Sequence, residues 1–156
     1  MSRHLLAGVI GITFALPAYS ETAPMAVAFH EGAIEAPLSD APGDATAGAT
    51  VMTTAALGNC VACHQIGTMP DIQFQGNIAP PLDGAADRYT EAQLRGIVAN
   101  AKMTFTDSFM PAFYKTSGFI RPGDAYTGKA GVEPLAPILT AQQIEDVVAY
   151  LLTLKE

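Results

Sequence analysis

Two cysteines stand three positions apart, at Cys60 and Cys63, and His64 follows the second directly; the chain has no other cysteine. Three chemistries could use such a cluster. A thiol–disulfide redox motif needs a βαβ setting. A structural zinc needs about four ligands, and outside the cluster only His4 and His30 remain as imidazoles. Covalent attachment of a c-type haem needs what is present in Cys60-Val61-Ala62-Cys63-His64. Two thioethers at this spacing reach the two vinyl-derived carbons on one edge of the macrocycle. The next residue then lies beneath the iron, so His64 supplies the proximal nitrogen.

An iron with one imidazole has a second axial position to fill or leave open. The leading candidate is Met110, in Phe109-Met110-Pro111-Ala112-Phe113. A thioether is a soft ligand that favours ferrous iron. Pro111 fixes φ and keeps the segment out of a helix, so the sulfur is presented from extended chain. Met103 is the runner-up, His30 or an open site comes after it, and Met52 and Met69 read as core filler. On the proximal side, Ala79-Pro80-Pro81-Leu82 offers the Pro80 carbonyl to the Nδ1–H of His64, which would fix the ring tautomer, and places Leu82 to pack on the haem.

Three helices are expected to position these groups. Asp44 caps a helix running to Leu57, with Gly58 suited to its end. Arg88 to Ala101 carries a Thr90/Gln93 capping box and a stripe of Leu94, Ile97, Val98 and Ala101. Thr140 and Gln143 repeat the box ahead of Ile144, Val147, Val148, Leu151 and Leu152, a stripe reaching the last residues. No strand pattern competes over these stretches. Between Met110 and Thr140 lie about thirty residues rich in Gly and Pro, a length that points to function or partner contact.

With 156 residues, 49% of them apolar and 15% charged, the chain can bury a core, and one domain is expected. The net charge of −7 argues against nucleic acid as a partner. Residues 1–20 read as a signal peptide: Arg3 in a polar start, an apolar run from Leu5 to Leu16, and Ala18-Tyr19-Ser20 before a cut at Glu21. The run is shorter than the roughly 20 residues that span a bilayer, so no membrane span is expected after cleavage. Residues 21–43 form an arm interrupted by Pro24, Pro37 and Pro42, which packs either on its own domain or on a partner, and residues 44–156 form the haem domain.

Together these segments resemble class I cytochrome c. That resemblance implies an all-α fold in which the first and last helices pack against each other and enclose one haem. Gly58 to Ile66, Gly76 to Leu82, Phe109 to Tyr114 and Leu139 to Leu151 resemble, more narrowly, the SoxX subunit of the SoxAX cytochromes. The likeness runs from about Gly48 onward and leaves the arm unmatched. It implies a bacterial periplasmic protein paired with a haem-bearing SoxA-like subunit. The pair acts as an L-cysteine S-thiosulfotransferase, oxidatively joining thiosulfate to a cysteine of a SoxYZ-like carrier. Bond formation belongs to the partner's haem; this chain would accept electrons on an iron held by His64 and Met110 and pass them to a downstream cytochrome. Having no cysteine beyond Cys60 and Cys63, it has no sulfur nucleophile of its own. A free-standing electron shuttle explains the haem equally well but leaves the arm and the long loop without a role, and a sensor or peroxidase would need Met110 not to bind iron.

Overall fold

The computed structural model describes residues 20–123 and 127–156. The signal-peptide segment lies outside the described residues up to position 19. Among the described residues four α-helices occur in the order α1 (Ala45–Thr53), α2 (Ala85–Arg88), α3 (Glu91–Asn100) and α4 (Ala141–Leu151), with 3-10 turns at Pro24–Ala26, Cys60–Ala62 and Ala101–Met103. Among the described residues β pairing is confined to isolated bridges, including Glu21 with Ser39 and Gly123 with Ala130. No helix among them is long and apolar enough to cross a membrane.

Helix α1 begins where Asp44 Oδ1 accepts from the backbone N–H groups of Thr46 (2.7 Å) and Ala47 (3.3 Å). It stops at Thr53, four residues short of the expected Leu57. The hydroxyls of Thr53 and Thr54 turn back onto the carbonyls of Ala49 (2.9 Å) and Thr50 (2.6 Å), competing with the next turn for its acceptors. The released chain carries the cysteine cluster away from the helix axis.

Helices α1 and α4 cross at close range. The buried face of α1 is Gly48, Val51 and Met52, and a Cβ at Gly48 would run into the backbone of Asp146. Replacing Gly48 by leucine must therefore separate the two helices. We expect a loss of about 3 kcal/mol, the upper end of overpacking costs, read as a lower urea midpoint of the haem-loaded protein with an unchanged slope.

Both capping boxes are present. Gln93 N donates to Thr90 Oγ1 (3.3 Å) and Thr90 N to Gln93 Oε1 (2.9 Å). Thr140 and Gln143 make the same pair at 3.2 and 2.9 Å. Arg88 ends α2 instead of opening α3, because Tyr89 adopts an extended conformation (φ −135°, ψ 143°) between the two. Of the expected α4 stripe, Ile144, Val147, Val148 and Leu151 are buried; α4 ends at Leu151, and Leu152 beyond it is half-buried.

The arm, whose path the sequence leaves open, packs on this chain. Leu38 is 1% exposed, and Ile34 and Ala33 are buried with it. Polar ties fix its course: Tyr114 Oη donates to the Thr22 carbonyl (2.7 Å), Ile34 N to the Ala92 carbonyl (3.0 Å), and Ser39 Oγ to Gln142 Oε1 (2.7 Å). At its centre Arg95 of α3, 2% exposed, meets Glu145 of α4 at 2.8 Å. Arg95 Nη1 also donates to the Ile34 carbonyl (3.0 Å), and Glu145 Oε1 accepts from Leu38 N (2.8 Å). This buried ion pair joins the arm, α3 and α4.

The segment after Met110 is tied at its base. Tyr114 N donates to the Ala99 carbonyl (3.0 Å), Leu139 N to that of Phe113 (3.0 Å), and Leu135 N to that of Thr116 (2.7 Å). Farther out, the Glu133 carboxylate accepts from Phe119 N (2.9 Å) and Gly118 N (3.0 Å).

Candidate haem-binding site

The sequence makes a sharp turn before the cysteines because Asn59 sits in the left-handed region (φ 46°), rare for a residue with a Cβ. Cys60–Ala62 then closes a 3-10 turn, with Cys63 N (3.1 Å) and His64 N (2.9 Å) both donating to the Cys60 carbonyl. The turn is clamped from outside. Gly76 N donates to the Val61 carbonyl (2.8 Å), and Gly76 lies so close to the Ala62–Cys63 backbone that no larger residue fits. The Gln75 amide accepts from Ile66 N (2.6 Å) and donates to the Met69 carbonyl (2.8 Å).

The segment Ala79–Asp83 runs beside the cysteine cluster as a strap. Ala79 N donates to the Cys63 carbonyl (3.0 Å), Leu82 N to that of Gln65 (2.9 Å), and Gly67 N to Asp83 Oδ1 (2.9 Å). His64 Nδ1 lies 2.7 Å from the Pro80 carbonyl oxygen. A carbonyl only accepts, so Nδ1 is the donor, and in the neutral ring that leaves the lone pair on Nε2.

All six residues singled out from the sequence line one cavity of about 740 Å3: Cys60, Cys63, His64, Pro80, Leu82 and Met110. That volume lies within the about 300–1,000 Å3 common for cofactor sites. Its remaining wall is largely apolar, built from Leu94 and Val98 of α3, Val147 and Leu151 of α4, and Phe113. Phe109, 74% exposed, contributes to the lining as well.

Met110 is held through its backbone. Its N–H donates to Ser108 Oγ (3.2 Å), and its carbonyl accepts from Lys102 Nζ (3.3 Å). The alternatives lie elsewhere. Met103 is 49% exposed and does not line the cavity. His30 lines a separate hollow of about 200 Å3 formed by the arm's own residues. Met52 is fully buried and reaches the cavity wall as part of the core, and Met69 packs at the core's margin.

These residues fit a covalently held haem. The two thiols are unpaired with each other and open onto an apolar cavity. Burial pushes the Cys60 thiol up to about 11, opposed by its backbone hydrogen bond and reinforced by the Cys63 charge. Among the described residues no cluster of three or more His, Cys, Asp or Glu is placed to bind a bare metal ion.

Sequence reasoning missed four side chains that shape the site: Gln75, Arg88, Lys102 and Ser108. Each works on a backbone group, which every residue possesses, and none carries a spacing signal of its own.

A family model for cytochrome c matches residues 45–155. Among solved structures, a chain of SoxXA from P. pantotrophus is 72% identical. The match covers 88% of this chain and 100% of that one, with a TM-score of 0.85. No curated protein sequence matches the chain significantly.

Proposed function

Because this chain belongs to the cytochrome c family, we propose that it works as the electron-accepting, single-haem SoxX-type subunit of a SoxAX complex that oxidises thiosulfate. The observation that carries this is the 72% identity over the whole length of a SoxXA chain. A free-standing shuttle is not favoured by so close a likeness to a member of a complex.

In this proposal Cys60 and Cys63 hold one haem as thioethers, the chain having no cysteines for a second. His64 and Met110 are the axial ligands. The haem, once bound, supplies a one-electron couple at the iron. The protein's part is to set its surroundings. Pro80 draws on the Nδ1–H of His64, which makes the imidazole a stronger donor and favours ferric iron. The Met110 thioether pulls the other way. Leu82, with the side chains of α3 and α4, keeps water from the ring.

Joining thiosulfate to a thiol releases one proton and two electrons, so a subunit that forms the bond needs an acceptor beside it. We assign bond formation to a SoxA-like haem partner and the thiol to a SoxYZ-like carrier. Electrons would leave for a downstream cytochrome. The location is the bacterial periplasm, after removal of residues 1–20 and leaving 21–43 as an arm before the domain at 44–156.

The test mixes the haem-loaded oxidised chain with thiosulfate and carrier, with and without the partner. Reduction of its visible bands is expected only when the partner is present. Reduction by thiosulfate and carrier alone, or failure of the chain to co-purify with a second haem protein, overturns the proposal.

A further inference from the structure

Met110 sits on a segment with little hold on the core. Between α3 and Met110, the side chains of Lys102, Met103, Thr104 and Thr106 are exposed and lie outside the cavity lining. The bonds from Lys102 and Ser108 to the Met110 backbone both start within this same stretch, so they shape the loop without tying it to the rest of the chain. Stretches with few buried contacts open locally at little cost. This one is anchored from the arm.

The arm grips the segment on both sides of the methionine. Before it, a tight turn from His30 to Ala33 is closed by two backbone bonds of 2.9 Å, with Glu31 (φ 50°) and Gly32 (φ 85°) both left-handed at its tip. That tip is wedged between α3 and the start of the loop. The Gly32 carbonyl packs on Gly96 of α3, and the Thr104 hydroxyl faces the same carbonyl at 3.5 Å. A Cβ at Gly32 would run into the Thr104 side chain and lie 3.1 Å from the Met103 carbonyl. After the methionine, Tyr114 is held at both ends. Its N–H donates to the Ala99 carbonyl of α3 (3.0 Å), and its hydroxyl donates to the Thr22 carbonyl of the arm (2.7 Å). Burial and the Glu21 carboxylate push the Tyr114 phenol above its usual value, so it stays a donor. The arm is itself fixed to α3 and α4, through Ile34 N on the Ala92 carbonyl and Leu38 N on Glu145.

We propose that the arm is a positioning element for Met110: through Gly32 against Thr104 and Thr22 on the Tyr114 hydroxyl, it holds the methionine segment closed and keeps competing ligands off that face of the iron. This rests on Met110 being the axial ligand there.

A competing ligand binds only when the sulfur has left, so its apparent affinity scales with the open fraction of the segment. Loosening either grip raises that fraction and tightens the binding of a small ligand. Tyr114→Phe removes one hydrogen bond and keeps the buried ring. Gly32→Ala puts a methyl against Thr104 and strains a backbone held at φ 85°. A general loss of stability leaves a different mark, because it also lowers amide protection along α4.

The experiment titrates the haem-loaded, oxidised full chain with imidazole, reading loss of the sulfur-to-iron absorption band near the red end of the spectrum, and follows amide exchange in α4. In Tyr114→Phe and Gly32→Ala we expect imidazole to bind about fivefold more tightly, as for loss of one typical hydrogen bond, with α4 protection unchanged. An affinity within about twofold of the unmodified protein in either folded variant overturns the proposal. Tyr114→Phe, which keeps the ring, decides it alone if Gly32→Ala does not fold. A rise in affinity matched by an equal loss of protection along α4 also overturns it, marking a general structural role. Failure of the ligand assignment is seen separately: the unmodified oxidised protein then lacks the red-end band, or Met110→Ala retains it.

Discussion

Met110→Ala protein is expected to keep its haem and lose its sulfur ligand. The ferric absorption feature near the red end of the spectrum, which arises from sulfur-to-iron charge transfer, should vanish. The potential should fall by on the order of 0.1–0.3 V, a fraction of the about 0.8 V over which axial ligands set haem potentials. Three features keep this substitution local. The backbone at 110 is fixed by Ser108 on its N–H and Lys102 on its carbonyl, bonds that an alanine keeps. Pro111 holds the following φ. Cys60 and Cys63 lie on a different segment, so thioether attachment is untouched. A surviving red-end band would show that another sulfur binds iron, and Met103 would have to leave its outward position to do so.

The largest stability effect is expected at Arg95. Burial works against its charge, but hydrogen bonds and attraction from Glu145 and Glu91 outweigh that cost and hold the guanidinium above its usual value. Arg95→Met leaves Glu145 buried with its charge unmatched, and leaves the Ile34 carbonyl without its donor. Removing one partner of a buried pair costs about 3–5 kcal/mol, a large share of the about 5–15 kcal/mol that holds a domain together. Urea denaturation of the haem-loaded protein should show it. In the double variant Arg95→Met, Glu145→Gln, much of the loss should return, because the neutral amide still offers an oxygen to Leu38 N. A single-variant loss below about 1 kcal/mol, the scale of an exposed pair, would contradict this account of the core.

Much of this architecture is legible in the sequence because its signals are local. Thr90 with Gln93, and Thr140 with Gln143, satisfy each other within one turn, so their meaning is independent of the rest of the chain. The α4 stripe and the spacing of Cys60, Cys63 and His64 are equally self-contained, as is the His64–Pro80 contact once both are known to face one haem. The misses have a common origin. Helix α1 stops early because two threonine hydroxyls compete for its carbonyls, and propensity does not say which hydroxyl will turn back. The arm's course depends on Arg95 and Glu145, which lie far along the chain from Leu38. Lys102, Ser108, Gln75 and Arg88 act on carbonyls and N–H groups that every residue possesses, so no residue type marks their targets beforehand.

The ties between arm and last helix also bear on the order of events during maturation. Leu38 N to Glu145 spans 107 positions, Ser39 to Gln142 spans 103, and Asp44 N to Asp146 spans 102. The cysteines lie inside the loop these bonds close. Contacts so distant in sequence form late and slowly, since their closure entropy must be met before they stabilise anything. Until they form, α4 cannot lay Val147 and Leu151 along the cavity wall, and Cys60 and Cys63 sit on open chain. Covalent attachment is therefore sterically easiest in the interval before closure, while both thiols are on open chain. A haem fixed there would offer an apolar face to Leu94, Val98, Val147 and Leu151, the side chains that α3 and α4 bring to the cavity wall.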